Sequence, residues 1–384
     1  MNIAHISPTY YPAIYWGGPI SYDYGLNNAL ARLPGNVVKV LTTDVAGPKK
    51  NDLLDVNSID EDIYPNQEVI FAHRIAGHCV SWELLYKISS IVRWADVVRL
   101  SATYSFPTIP TLALCRLYDK PLIWTLHGAI LDTHVWDGAP RRRLKRLWEY
   151  GCDALIRRNG VVLHTMAQPE KDSAETRISN ARAVIVPNGV HVPPIFPQQE
   201  WLPNGRLRLM YLGRLAKKKG IENLLHAIKI LSDPSISLAI YGAGDATYVK
   251  SLHALTDDLG LKSSVSFMGE VTGDDKNKAM VTADMCIVPS HTESFCIVVA
   301  EALAHGLPVI ASHGTPWQEL EAKRCGWWVD NSPQSLAQTI ERSRSMPLDE
   351  MGRRGWEWMG AEYSWDAVAK QMMVVCRDLL TLRG

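Results

Sequence analysis

Four residues in the second half of the chain have the types and spacing that chemistry would need: the cations Arg214 and Lys219 and the carboxylates Glu293 and Glu301. Glu293 stands where an apolar strand pattern, Met285 to Pro289, gives way to an apolar run that reads as a buried helix. Gly306 ends that run as a C-terminal cap. A helix advances about 1.5 Å per residue, so the spacing predicts roughly 12 Å between the two carboxylates along the axis, with the unpaired N–H groups of Ser294, Phe295 and Cys296 near its start. That array suits an elongated anionic ligand. A nucleotide sugar would offer sugar hydroxyls to Glu293, its diphosphate to the positive helix end and its ribose diol to Glu301. The plainer alternative makes Glu293 a solvated loop carboxylate and Glu301 a core acid paired with a buried base.

Arg214 and Lys219 leave the end of a strand, Leu207 to Leu212, in the segment Gly213-Arg214-Leu215-Ala216-Lys217-Lys218-Lys219-Gly220. A guanidinium grips phosphate oxygens through two parallel hydrogen bonds, and an ammonium adds a mobile point charge. Together they could neutralise the charge that builds on a diphosphate as a sugar leaves it. Lys217 and Lys218 read as solvent-facing residues at a helix entry. Asp274-Asp275 lies beside Gly273 at a helix start, where acids act as caps. His, Cys and Asp show no metal-ligand spacing, so neither metal nor cofactor is expected.

Glu293-Ser294-Phe295-Cys296-Ile297-Val298-Val299-Ala300-Glu301, followed by Ala-Leu-Ala-His-Gly-Leu-Pro-Val-Ile-Ala, resembles the Glu-x7-Glu signature of the family 4 retaining glycosyltransferases, whose fold is GT-B. Cys296 stands where that family usually has Gly. The Gly-Arg-x-x-x-x-Lys-Gly arrangement is also similar, so the resemblance gives Arg214 and Lys219 the diphosphate, Glu293 and the Ser294–Ile297 backbone the donor sugar and phosphates, and Glu301 the ribose. Phe267-Met268-Gly269-Glu270-Val271 resembles the segment whose backbone meets the nucleobase, which makes Met268, Gly269 and Val271 candidates for the base edge. Gly17-Gly18 is similar to the glycine pair that approaches the donor, and His127, after the strand Leu122 to Leu126, to the histidine facing the donor sugar; a satisfied core histidine is the alternative for His127. The resemblance implies a metal-independent transferase, with the acceptor attacking from the face the diphosphate leaves and no protein nucleophile. A UDP-sugar is favoured over a GDP-sugar as donor, and a glycan or lipid-linked molecule is the acceptor. The alternatives within the fold are a sugar-nucleotide epimerase and an inactive binding subunit.

The elements that must position these residues alternate. Strand patterns at Asn2 to Ser7, Val37 to Thr42, Asp96 to Leu100, Pro121 to Leu126 and Val161 to Met166 are separated by helical or loop segments, including a helix from about Ser21 to Arg32. A second series restarts at Arg206, with strands near 207–212, 237–241, 265–269, 285–289 and 308–312. This pattern predicts an α/β chain of GT-B plan, with two Rossmann-like domains facing each other across a cleft. An N-terminal acceptor-side domain is expected over 1–190 plus a terminal helix of about 365–384, and a nucleotide-sugar domain over 200–364, joined through Pro187-Asn188-Gly189 and the prolines that follow.

Composition agrees with a soluble globular protein rather than a disordered or membrane-spanning one. The 384 residues are 47% hydrophobic and carry a formal net charge of zero, which leaves no electrostatic case for nucleic-acid binding. Seven scattered cysteines without CxxC spacing read as reduced thiols, and the opening Met-Asn-Ile-Ala-His-Ile-Ser has no secretory pattern, so a cytoplasmic protein is expected. The run Arg141-Arg142-Arg143-Leu144-Lys145-Arg146-Leu147-Trp148 is basic and amphipathic. It reads first as a solvated helix face whose leucines and tryptophan pack inward, with peripheral contact at the inner face of a membrane through 141–148 as the sharper reading.

Overall fold

A computed structural model describes residues 1–59, 64–131, 142–156, 159–197 and 206–381, with only the backbone of Arg142. The chain forms two compact units, Met1–Gly189 with Trp365–Gly384, and Val190–Ser364.

The first unit holds the strands β1 (Asn2–Ile6), β2 (Val37–Thr43), β3 (Gln67–Ala72), β4 (Val97–Leu100), β5 (Leu122–Thr125), β6 (Val161–Thr165) and β7 (Arg182–Ile185) in one parallel sheet of order β3-β2-β1-β4-β5-β6-β7. Every residue of β4, β5 and β6 is buried, as expected of central parallel strands covered on both faces. The helices α1 (Gly18–Arg32), α2 (Trp82–Trp94), α3 (Thr108–Leu117), α4 (Arg142–Leu155) and α5 (Gln168–Arg177) connect them. Helix α1 begins at Gly18, earlier than the Ser21 expected, because Pro19 supplies a preset φ in its first turn.

The second unit repeats the plan. Strands β8 (Leu207–Leu212), β9 (Ile236–Tyr241), β10 (Val265–Gly269), β11 (Met285–Val288), β12 (Val309–Ser312) and β13 (Gly326–Val329) form a parallel sheet of order β10-β9-β8-β11-β12-β13. Its helices are α6 (Ile221–Leu231), α7 (Ala246–Asp258), α8 (Gly273–Thr282), α9 (Ile297–Ala304), α10 (Pro333–Ser343) and α11 (Leu348–Trp358). The chain then returns to the first unit as α12 (Trp365–Thr381), which packs on α1 and pairs Asp366 with Arg32 at 2.7 Å.

All seven cysteines are buried, and none is in a disulfide. Helix α4 departs from expectation. Trp148 does pack inward, its Nε1 donating to the Thr103 carbonyl at 2.8 Å, but Leu144 and Leu147 are 60% and 68% exposed. The two leucines lie on the solvent side of the helix, whereas Trp148 packs against the core of the first unit. Arg141 lies outside the described residues. No helix among the described residues is long and apolar enough to cross a membrane.

Candidate active site

In an open parallel sheet, ligands bind beyond the carboxyl ends of the strands where the strand order reverses. In the second unit that point lies between β8 and β11, and both strands deliver candidate residues to it. Strand β8 runs into Gly213 and Arg214, and the turn Lys217–Lys219 ends at Gly220. Gly220 has φ +64, and a Cβ there would come within 2.1 Å of the Pro289 carbonyl oxygen. Only glycine lets the loop after β8 lie against the loop after β11. This close approach brings the Lys219 ammonium into an ion pair with Glu293 Oε1, an oxygen that also accepts from Ser290 Oγ at 2.7 Å. Lys217 and Lys218 are exposed, whereas Lys219 is half-buried.

Arg214 is exposed and pairs with no carboxylate among the described residues. It lines a pocket of about 500 Å³ together with Gly213, Gly242, Gly244, Glu270 and Val271. Of the candidate base-edge residues, Val271 lines this pocket; Met268 and Gly269 do not, and Met268 is 52% exposed.

The segment after Glu293 corrects one expectation. Helix α9 starts at Ile297, four residues beyond Glu293, so helical rise does not set the distance between Glu293 and Glu301. Cys296, the residue before the helix, has φ +66, a left-handed conformation at the position where the resembled family carries glycine. The amides of Ser294, Phe295, Cys296 and Ile297 make no hydrogen bond to another described residue, so the helix start keeps free donors. The Phe295 ring is turned into the core, 5.2 Å from that of Trp317, whose Nε1 donates to the Phe295 carbonyl at 2.6 Å. Phe295 therefore offers a ligand its backbone alone. Burial pushes the Cys296 thiol up, and the Glu293 carboxylate adds to the effect. Glu301, inside α9, is half-buried and bonded to Lys276 Nζ at 2.7 Å. The sequence places Lys276 at the helix start after Asp274-Asp275, but nothing local marks its contact with a residue so distant in the chain. Among the described residues, Asp275 pairs with Lys278, at 3.5 Å.

In the first unit, Gly17 caps α1 with φ +73, and open space surrounds the Cβ position of both Gly17 and Gly18. His127 follows β5 with φ +50. Its Nε2 lies 3.7 Å from Asp23 Oδ2, and Tyr22 meets its ring edge-on at 5.4 Å. Gly128 donates its amide to Glu170, which also accepts from the Met166 amide at 2.9 Å and so ties the ends of β5 and β6 together. Behind His127 sits a buried polar cluster of His5, Asp23, Arg99 and His164 that sequence reading missed. The signal was available: His5 and Arg99 interrupt apolar strands, and charged groups in buried strands are rare unless paired. Burial lowers the His5 imidazole, partly offset by Asp23, and lowers His164 to about 3. Burial also opposes ionisation of Asp23, but His5 and His127 outweigh it and hold that carboxyl far below the usual range.

The family model described as Glycosyl transferases group 1 matches residues 194–354, and the one described as Glycosyltransferase Family 4 matches 16–192. A phosphatidyl-myo-inositol mannosyltransferase of Mycobacterium leprae is 31% identical over 315 residues, covering 76% of this chain and 77% of that one. The chain belongs to glycosyltransferase family 4. This glycosyltransferase is also 34% identical over 185 residues to an uncharacterized glycosyltransferase of Methanocaldococcus jannaschii, a match that spans only 46% of each chain. A GDP-mannose-dependent alpha-(1-6)-phosphatidylinositol monomannoside mannosyltransferase of Mycobacterium tuberculosis is 32% identical over 187 residues, 44% of this chain and 46% of that one. The solved sucrose-phosphate synthase of Thermosynechococcus elongatus superposes over the whole of both chains with a TM-score of 0.72 at 21% identity, and shares the GT-B fold.

Proposed function

We propose that this glycosyltransferase is a retaining, metal-independent enzyme that moves a hexose from a nucleotide sugar to a glycan or lipid-linked acceptor in glycoconjugate synthesis. The observation that carries the reading is the pairing of Lys219 with Glu293 at the switch point of the second sheet, beside a pocket whose one cationic lining residue is Arg214. A cation already placed on the carboxylate that orients the sugar stands where charge develops on the departing diphosphate. Arg214 grips that diphosphate from the pocket, and the free amides from Ser294 to Ile297 take its remaining oxygens. Glu301 holds the ribose once Lys276 yields. In the first unit, Gly17 and Gly18 leave room for the donor, and His127 meets the sugar.

A GDP-sugar, with mannose as the hexose, is the donor favoured by the relatives. The mycobacterial enzyme named as GDP-mannose-dependent weighs against the UDP preference drawn from the sequence. The relatives named for phosphatidylinositol acceptors support a lipid-linked acceptor. Exposed Leu144 and Leu147 beside Arg143, Lys145 and Arg146 support peripheral contact of α4 with an anionic bilayer, at the cytoplasmic face.

The test is incubation with GDP-mannose or UDP-glucose, with and without phosphatidylinositol vesicles, in EDTA, with NMR assignment of the anomeric centre of any product. Acceptor-dependent release of GDP in EDTA, with the donor's anomeric configuration kept, is expected. Conversion of the donor without acceptor would replace the transferase reading by an epimerase, and tight nucleotide binding without turnover by a binding subunit.

A further inference from the structure

We propose that Asp23 is a positioning residue for His127: its Oδ2 accepts a hydrogen bond from the Nε2–H of the imidazole, so that Nδ1 is the ring nitrogen left for the donor sugar. Asp23 sits in the middle of α1, and its side chain is 2% exposed. Its two carboxylate oxygens are used differently. Oδ1 is engaged by the protein: Ser101 Oγ donates to it at 2.7 Å, His5 Nε2 stands at 3.5 Å and Arg99 Nη2 at 3.8 Å. Oδ2 faces His127 Nε2 at 3.7 Å, and that nitrogen is itself buried without a hydrogen-bond partner. A small rotation of the ring closes the gap to hydrogen-bond length and satisfies both atoms.

The orientation of everything behind Asp23 is set. Arg99 Nη1 donates to Asn27 Oδ1 at 2.6 Å, which leaves the Asn27 amide nitrogen to donate to His5 Nδ1 at 2.7 Å. His5 therefore carries its proton on Nε2, toward Ser101 Oγ at 3.0 Å. Each group fixes the next, and the chain ends on one carboxylate oxygen with a single ring before it. The other groups facing that ring are the Tyr22 ring and the Glu170 carboxylate, which the Gly128 and Met166 amides already occupy. An ionised carboxylate accepts and cannot donate, so it admits only the Nε2–H tautomer or the imidazolium.

The role in transfer rests on the reading of the chain as a nucleotide-sugar transferase; the tautomer does not, and is measured without donor. In long-range ¹H–¹⁵N spectra of the ligand-free full chain, with His127 assigned by loss of its signals in His127→Asn, the ring is expected with Nε2 protonated. Asp23→Asn keeps the shape but offers an N–H to Nε2, so the ring is expected to move to the Nδ1–H form. Turnover should fall by roughly 10²–10⁴-fold, the order seen when an aspartate that fixes a catalytic histidine's tautomer is lost, with the donor KM changed by less than threefold. Should Asp23→Asn fail to fold, Ser101→Ala, which removes the hydroxyl that holds Oδ1 and so lets the carboxylate turn away from His127, should broaden or mix the His127 signals. A wild-type ring protonated on Nδ1 alone, or a folded Asp23→Asn protein with unaltered tautomer and turnover, would overturn the proposal. An Nε2–H ring in a protein that turns over no donor would instead overturn the transferase reading and leave the pairing in place.

Discussion

Lys219 is paired with Glu293, and this pair decides what removal of the lysine should do. Lys219→Ala takes away the charge proposed for the leaving diphosphate, so turnover should drop by at least about 10²-fold. It also leaves Glu293, whose side chain is 9% exposed, with the Ser290 hydroxyl as its side-chain partner among the described residues. Because the two groups share one interaction, the losses in Lys219→Ala and Glu293→Gln should not add in the double variant; additive losses, measured as kcat/KM, would separate them. Cys296 poses a backbone question. A non-glycine residue at φ +66 costs roughly 1–2 kcal/mol, and a β-branched one more. Cys296→Gly relieves that strain while losing a buried thiol, so its unfolding free energy should stay within about 1 kcal/mol of wild type, whereas Cys296→Val should be destabilised by roughly 1–3 kcal/mol. Equal stability of the two variants by denaturant titration would refute the strain argument.

At the level of elements, the tail helix α12 is keyed into the first unit by Trp365. A Cβ added at Gly25 of α1 would fall 2.3 Å from the Trp365 ring, and one at Gly189 would fall 2.2 Å from it. Both glycines are thus a slot for one indole. Gly25→Ala should force the ring out and lower stability by roughly 1–3 kcal/mol, seen as a reduced denaturation midpoint; an unchanged midpoint would show that the helices shift freely. Central strands such as β5 and β11 were legible in the sequence because burial on both faces demands continuous apolar runs. Strands β3 and β13, at sheet edges, were not: Gln67–Ala72 mixes polar with apolar residues, and Gly326–Val329 opens on glycine and two tryptophans. Among the candidate site residues, Arg214, Lys219 and Glu293 follow strand ends, a local pattern, and could be found. The contacts between Lys276 and Glu301 and between Asp23 and His127 join residues far apart in the chain, and only the folded sheet brings them together.

For the whole molecule, the buried histidines of the first unit set how it responds to acid. His164 titrates at about 3 when folded, against an ordinary value near 6.5, because burial disfavours its cation more than the Val186 carbonyl favours it. The unfolded chain therefore binds a proton below pH 6.5 that the folded chain refuses. The native state is then most favoured above pH 6.5, and stability falls as the pH drops from there toward 3. At pH 5 the folded ring is neutral for any folded value below about 4, so the loss from His164 alone is about 2 kcal/mol, or roughly 4–8 °C in melting temperature for a unit of this size. His5, lowered by the same cause, acts in the same direction. Asp23 contributes nothing to this window, since its carboxyl is ionised in both states at these pH values and matters only in stronger acid. Calorimetry from pH 7.5 to 5 should therefore show a falling transition, with a shallower fall in His164→Asn by about one proton's worth of slope. The variant is the decisive arm, because general acid repulsion would lower both proteins alike, whereas refusal of a proton at one buried ring disappears with that ring.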